Sequence, residues 1–312
     1  MIRSLALVLA LTAPAAANPL DDHVLPRVAA FAGATEALAQ TDCDVDALKA
    51  AYAPAATAWA AMSHLTLGPV EAEGRGQVVL FWPDGRDATR RGLALLRERG
   101  AEGWTPEGIA RASAAARGLG ALERLIWEAE AEPCALTRAL TRDLADTAAR
   151  IETGWTNGFA DLMRTPGTAG NARFLDESEV RAAFFTALMS GLEHLSDRRL
   201  GAPLGTFAEP RPARAELRRS GLSLAMVVAA LEGMRELAAA MADAPETDAA
   251  FARALDAARR VDTPDLSQVA EPGGRLRVEA LQTAVDAIRQ VADVEIGQGL
   301  GIAQGFNSAD GD

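Results

Sequence analysis

The sequence predicts an all-α protein built of two helical bundles, and three features carry that expectation. Alanine and leucine are abundant while aromatic residues make up only 5%, a composition that favours helix. Runs of alternating β-branched residues, the mark of strands, are nearly absent. Apolar side chains instead recur at three- and four-residue steps in block after block, the period of a helix face. At 312 residues the chain can bury a large core, and its length favours two units over one.

Val24, Val28, Phe31, Thr35 and Leu38 form one stripe. Leu48, Tyr52, Ala55, Trp59 and Met62 form a second, with Asp44 placed to cap its start. The two read as antiparallel helices joined by a turn at Cys43. After Met62 the period breaks in SHLTLGPVEAEGRGQVVLFWPDGRD, where Gly68-Pro69, Gly74, Gly76 and Pro83 forbid a continuous helix. Its apolar centre, Val78 to Trp82, predicts a segment that packs. Helix resumes over 88–99, and Thr105-Pro106 reads as the cap and first residue of the helix containing RGLGALERLIWE. An amphipathic helix is expected over 135–163.

TPGTAGN, residues 165–171, gathers turn formers between two helical blocks and is the expected boundary. It divides the chain into a first bundle over 18–165 and a second over 172–312. In the second, helices are expected at about 177–199, 213–242, 247–260 and 274–297. Phe184, Leu188, Leu192 and Leu195 line the first, and Leu281, Val285, Ile288 and Ala292 the last. GAPLGTFAEPRP is the irregular counterpart of the 63–87 segment.

The formal charge is −12 and Lys49 is the only lysine. Nucleic-acid binding, which rests on neutralising phosphates, is therefore not expected. MIRSLALVLALTAPAAANP has the basic start, apolar run and small-residue cleavage site of a secretory signal, residues 1–17, cut after Ala17. No cysteine stands at the cut to take a lipid, and no later run is long enough to span a membrane. The expected location is the periplasm or the extracellular medium. In an oxidising compartment Cys43 and Cys134 can pair. The alternative, a two-thiol metal site, needs His or carboxylate partners, and neither cysteine has a second cysteine or a histidine near it in sequence.

Glu123 is the most informative side chain. Leu119, Leu122 and Ile126 make an apolar stripe, and Glu123 falls inside it, one turn after Leu119. A carboxylate there must be protonated, paired with arginine or bound to a metal. Arg218-Arg219-Ser220, just before the apolar LSLAMVVAAL, supplies charge and a hydroxyl that can meet Glu123 or hold an anion. Arg198, beside Asp197 and Arg199, is a second cationic candidate. Ser63 and His64 close the second helix, where a histidine serves as a cap, a dipole partner or a ligand. His23 reads as structural, and His194 points about 100° from Glu193, a poor chelate. Trp82 and Asp84 of FWPDGR complete the expected ligand-binding set of Glu123, Ser63, His64, Trp82, Asp84, Arg198, Arg219 and Ser220. The polar tail GFNSADGD carries Asp310 and Asp312 without the spacing of a calcium loop.

Gly118-Leu119-Gly120-Ala121-Leu122-Glu123 followed by LIW resembles the Gly-x-His-x-x-Glu motif and apolar-Trp run of the imelysin-like family of exported bacterial proteins. That family is named after an insulin-cleaving outer-membrane protein and is associated with iron-regulated expression. LGP at 67–69, FWPDGR at 81–86, LSDRRLGAPLG at 195–205, RRSGLSL at 218–224 and the terminal GFNSADGD resemble a predicted periplasmic branch in which GLxALExLL replaces the histidine form. The likeness spans essentially the whole mature chain. It implies two four-helix bundles related by a pseudo-repeat, with a site between them. The family's proposed metal site leans on the His–Glu pair, and here Gly120 stands at the histidine position.

The activity attached to the family name is metalloproteolysis, which needs three good ligands and a base, typically His-Glu-x-x-His on one helix. Three histidines, none so paired, do not supply it, and no catalytic residue is assigned. The favoured expectation is an exported protein that binds iron, another divalent metal or a small ligand between the bundles during metal uptake. Bound directly, a metal would rest on Glu123, His64 and Glu193, with oxygen donors in the majority. The alternative is a partner-binding or assembly protein of an outer-membrane uptake system, with no small ligand.

Overall fold

The structure is a computed structural model that describes residues 18–128, 134–299 and 301. The expected signal peptide and the GFNSADGD tail lie outside the described residues. Among those residues every regular element is helical.

Helix α1 (Leu25–Gln40) continues directly from a wide turn, Leu20–Val24, and buries the expected stripe. Thr35 is acceptable in that stripe because its hydroxyl donates to the Phe31 and Ala32 carbonyls, at 3.1 and 2.9 Å. Helix α2 (Val45–Met62) starts at Asp44, whose carboxylate accepts from the Ala47 amide. The irregular 63–87 segment holds only short turns and one five-residue helix, Arg75–Val79. Helix α3 (Ala88–Arg99) follows, then α4 (Gly118–Trp127) and α5 (Cys134–Gly154).

Two expectations are corrected here. Thr105 does cap a helix, but only the short Pro106–Ala110, and α4 begins separately after a turn at Ala114–Ala116. The helix expected over 135–163 is interrupted, because Asn157 and Gly158 leave helical geometry before Ala160–Arg164.

In the second half, α6 (Glu177–Glu193) is capped by Asp176 and runs into a wide turn, His194–Leu200. Helices α7 (Ser223–Met241), α8 (Pro245–Ala258) and α9 (Pro272–Ala292) complete it. The helix expected from 213 starts ten residues later, at Ser223, behind left-handed turns at Leu217 and Gly221.

The packing has a repeat. In the first half α1 lies against α2 and α5, and α4 against the same two. In the second, α6 lies against α7 and α9, and α8 against the same two. Each half is thus a ring of four helices, as the all-α, two-bundle expectation requires. The rings meet where α2 lies along α7, the second helix of each. Small residues permit the approach: a Cβ on Gly233 of α7 would stand 2.0 Å from the Ala61 carbonyl oxygen of α2. Gly233→Ala should therefore destabilise the protein by about 1–3 kcal/mol through overpacking. Gly33→Ala, on an exposed face of α1 with nothing near its Cβ, should stabilise by about 0.5–1 kcal/mol. Urea midpoints of the two variants measured side by side check both signs.

Candidate functional site at the junction of the two rings

The approach to the junction begins at Gly118. Its backbone is left-handed (φ 66°), and a Cβ would lie 2.0 Å from the Val78 carbonyl, so only glycine lets α4 start against the Arg75–Val79 helix. From that start Leu119, Leu122 and Ile126 turn inward, and Glu123 with them, 3% exposed. One Glu123 oxygen accepts from the Ser220 amide (2.9 Å) and faces the Ser220 hydroxyl (2.8 Å). The other lies 3.8 Å from Arg219, which also pairs with Glu128. Burial raises the pKa of Glu123, and the Ser220 bonds and Arg219 charge work against that rise. The carboxylate therefore finds its partners across the ring boundary.

Next to it lies a second buried pair. Arg199, from the wide turn after α6, meets Glu216 at 2.8 Å with both side chains 3–4% exposed, and it donates to the Ser63 hydroxyl at 3.1 Å. Burial pushes the Glu216 pKa up against the pull of Arg199. Tyr52, fully buried, donates to the Leu119 carbonyl at 2.9 Å. Its phenol is pushed well above its ordinary value by burial and by the charges of Glu123 and Glu216.

A third group stands at the far side. His64 and His23 face each other through their Nε2 atoms at 3.0 Å, with rings only 28° from parallel. His23 Nδ1 lies 3.5 Å from Glu236 of α7, which is clasped by Arg27. Glu236 is held down to about 2 by His23 and Arg27. His64 is pushed well below 6.5 by burial and by the charges of His23, Arg199 and Arg27.

Two hollows border these groups. A cavity of about 610 Å³ is lined by Ser63, His64, Arg199 and Glu216 together with Trp59 and Met234. A smaller one, about 380 Å³, is lined by Asp84, Gly120, Glu123, Arg198 and Arg219. Leu80 and Trp82 line both. The Trp82 indole donates to the Arg214 carbonyl at 3.3 Å and stands edge-on to His194.

The Imelysin family matches residues 20–292 of this chain. The chain belongs to the imelysin family. An imelysin-like protein from Psychrobacter arcticum 273-4 is similar at a TM-score of 0.76 and 20% identity, over 92% of this chain and 94% of that one. A protein assigned as an iron-regulated protein A precursor from Parabacteroides distasonis ATCC 8503 gives 0.54 and 12%, over 88% of this chain and 90% of that one. At such identities the likeness is one of fold. None of the curated proteins matches the chain.

In this imelysin-like chain the expected ligand-binding set lies around the ring junction, but its members divide. Ser63 and His64 belong to the larger cavity, Glu123, Asp84, Arg198 and Arg219 to the smaller, and Trp82 to both. Ser220 reaches the site through Glu123. Asp84 is occupied: its two oxygens accept from the Ala88 and Thr89 amides at 2.7 and 2.8 Å and start α3.

The expected metal set is not assembled. Glu193 is exposed and turned to Arg289 on α9 at 3.1 Å, Glu123 is held by Ser220 and Arg219, and His64 faces His23. No cluster of three or more His, Cys, Asp or Glu able to hold an ion occurs among the described residues. The reading of His64 as a helix cap is corrected too, since its ring partner is His23. Sequence reasoning misses Glu216, Glu236 and the pairing role of His23, and favours exposed Arg198 over buried Arg199. Only Arg199 carries a signal, as half of an Arg-Arg pair.

Proposed function

We propose that this protein is an exported imelysin-like binding protein that takes a small organic ligand, free or carrying a metal ion, between its two helical rings in the service of iron uptake. One observation carries the reading: a cavity of about 610 Å³, of the size that holds small-molecule ligands, floored by a buried ion pair and a buried histidine at the contact of the two halves. Export is supported by the signal-like first 17 residues. The iron context is supported by the name of the similar Parabacteroides protein. No helix among the described residues is long and apolar enough to cross a membrane.

Direct metal coordination fits these residues poorly. The carboxylate that survives from the family motif already has a hydroxyl, an amide and a guanidinium as partners. Iron would therefore arrive with most of its donors supplied by the ligand. Native mass spectrometry of protein recovered from its producing cells should show an adduct that is lost in Ser190→Trp, which fills the cavity mouth from an exposed position. An adduct unchanged by that substitution would place the ligand elsewhere. Metal analysis adds a second arm. Wild type stripped with a chelator should regain little iron, whether or not Glu123 is replaced by Ala. Gly120→His should regain more, because a side chain there makes only ordinary contacts at 3.8 Å and shares a helix face with Glu123. Strong iron binding by wild type that disappears in Glu123→Ala would reverse the reading.

A further inference from the structure

His64, which helps floor the cavity, is the inner end of a polar chain, Arg27–Glu236–His23–His64, that runs from the half-exposed Glu236 to two buried histidines. His23 is 0% and His64 4% exposed, and buried polar groups persist only when partnered. His64 Nδ1 has no partner within the protein, and His23 Nδ1 makes no hydrogen bond either, its near neighbour being the Glu236 carboxylate at 3.5 Å, while His64 itself lines the cavity of about 610 Å³.

Proton positions follow from the order of the groups. Glu236 is ionised, so a bare His23 Nδ1 set 3.5 Å from its carboxylate would oppose lone pair to negative charge. His23 therefore carries its proton on Nδ1. Its Nε2 is then the acceptor, and the 3.0 Å contact requires His64 to donate from Nε2. Both rings are neutral because burial disfavours the imidazolium in each. The outcome is that His64 Nδ1 holds a lone pair with nothing to receive. The opposite tautomers would set the His23 Nδ1 lone pair against Glu236 and turn His64 Nδ1 into an N–H donor facing the cavity.

What else surrounds the cavity narrows the ligand. Trp59 and Trp82 present flat surface and the Met234 thioether a polarisable one, which suits an aromatic ring. Arg199 stands on the polar side, its charge shared between Glu216 and Ser63, beside a group that gains electron density as its proton is drawn away.

We propose that His64 Nδ1 is a neutral hydrogen-bond acceptor in the cavity wall, fixed in that state by the Arg27–Glu236–His23 chain, and that the cavity takes a planar aromatic molecule whose hydroxyl donates to it. His64 touches the ligand, and His23 and Glu236 are positioning residues. The inference rests on the proposed binding function and adds the ligand class to it.

Phenol and anisole, equal in ring but with and without the hydroxyl hydrogen, are the probes, titrated calorimetrically into the intact protein. Wild type should bind phenol about tenfold more tightly, the net worth of about one hydrogen bond. His64→Phe should bind both equally. Glu236→Gln, at a half-exposed position, should narrow the preference while leaving anisole affinity unchanged, a pattern that a purely structural role would not give. Nitrogen NMR of the imidazole rings reports the tautomers independently of any ligand. A proton on His64 Nδ1, equal affinity of wild type for the two probes, or no binding of either overturns the proposal. The adduct measurement on protein from its producing cells is a separate readout, so failure of the ligand class and failure of the binding function are distinguishable.

Discussion

Cys43→Ser/Cys134→Ser should lower the stability of this protein by about 4–5 kcal/mol, the loop-closure entropy of a crosslink spanning some 90 residues. The two cysteines are bonded, with a sequence separation of 91. The crosslink ties the turn between α1 and α2 to the first residue of α5, so it joins the ends of three helices of one ring. Little else nearby does that work: the adjacent Arg138–Asp42 pair is solvent-exposed at 3.3 Å and contributes at most about 1 kcal/mol. Urea unfolding of wild type should shift to lower denaturant when a reductant is added, and the double serine variant should show the shifted midpoint with or without it. A variant that unfolds at the wild-type midpoint would show that the ring is closed by packing alone. The same bond makes stability depend on the compartment, which accords with the proposed export.

Helices with one clean stripe are legible in the amino-acid pattern itself. Val28, Phe31 and Leu38 of α1, and Leu281, Val285 and Ile288 of α9, are all buried, because burial against neighbouring helices imposes the 3.6-residue period that the sequence displays. The segment before α7 is not legible in this way, because its conformation is set by a distant partner. Glu216 is drawn into the core by Arg199, the Ser223 hydroxyl holds the Glu216 carbonyl at 2.6 Å, and Leu217 takes a left-handed turn (φ 47°). A helical pattern in 213–222 contains none of that. The choice between Arg198 and Arg199 fails for a related reason. They lie in the wide turn His194–Leu200, where more residues per turn shift the phase, so a helix-period reading assigns the wrong arginine to the inside. Glu123 is legible as a buried carboxylate because an ionic residue inside an apolar stripe is anomalous by itself. The His23–His64 contact has no such mark, joining residues 41 apart in sequence with no motif between them.

Arg199→Met should be among the most damaging single substitutions at the junction, costing about 3–5 kcal/mol at neutral pH because it leaves Glu216 buried without a counter-charge. The pair is 3–4% exposed, so water cannot replace the lost guanidinium. The deficit has a pH signature. Burial already raises the Glu216 pKa and Arg199 opposes that rise, so the substitution moves it further up. A carboxyl group whose folded pKa lies above its unfolded value contributes stability below the unfolded pKa and loses it as pH climbs through the folded one. The gap between variant and wild type should therefore be wider at about pH 8 than at about pH 5, because falling pH favours the protonated carboxyl. Arg199→Met/Glu216→Leu should recover most of the loss, since apolar packing substitutes for an ion pair once neither charge remains. Chemical denaturation of wild type, single and double variants at both pH values checks the cycle. If the double variant is as unstable as the single, the lost interaction is the bond from Arg199 to Ser63 and the contacts around it rather than the stranded charge. If it recovers, the ion pair is not what holds the two rings together. Its place in the fold is then explained by the polar floor it gives the cavity, and the recovered double variant becomes the protein in which ligand binding should fail while stability does not.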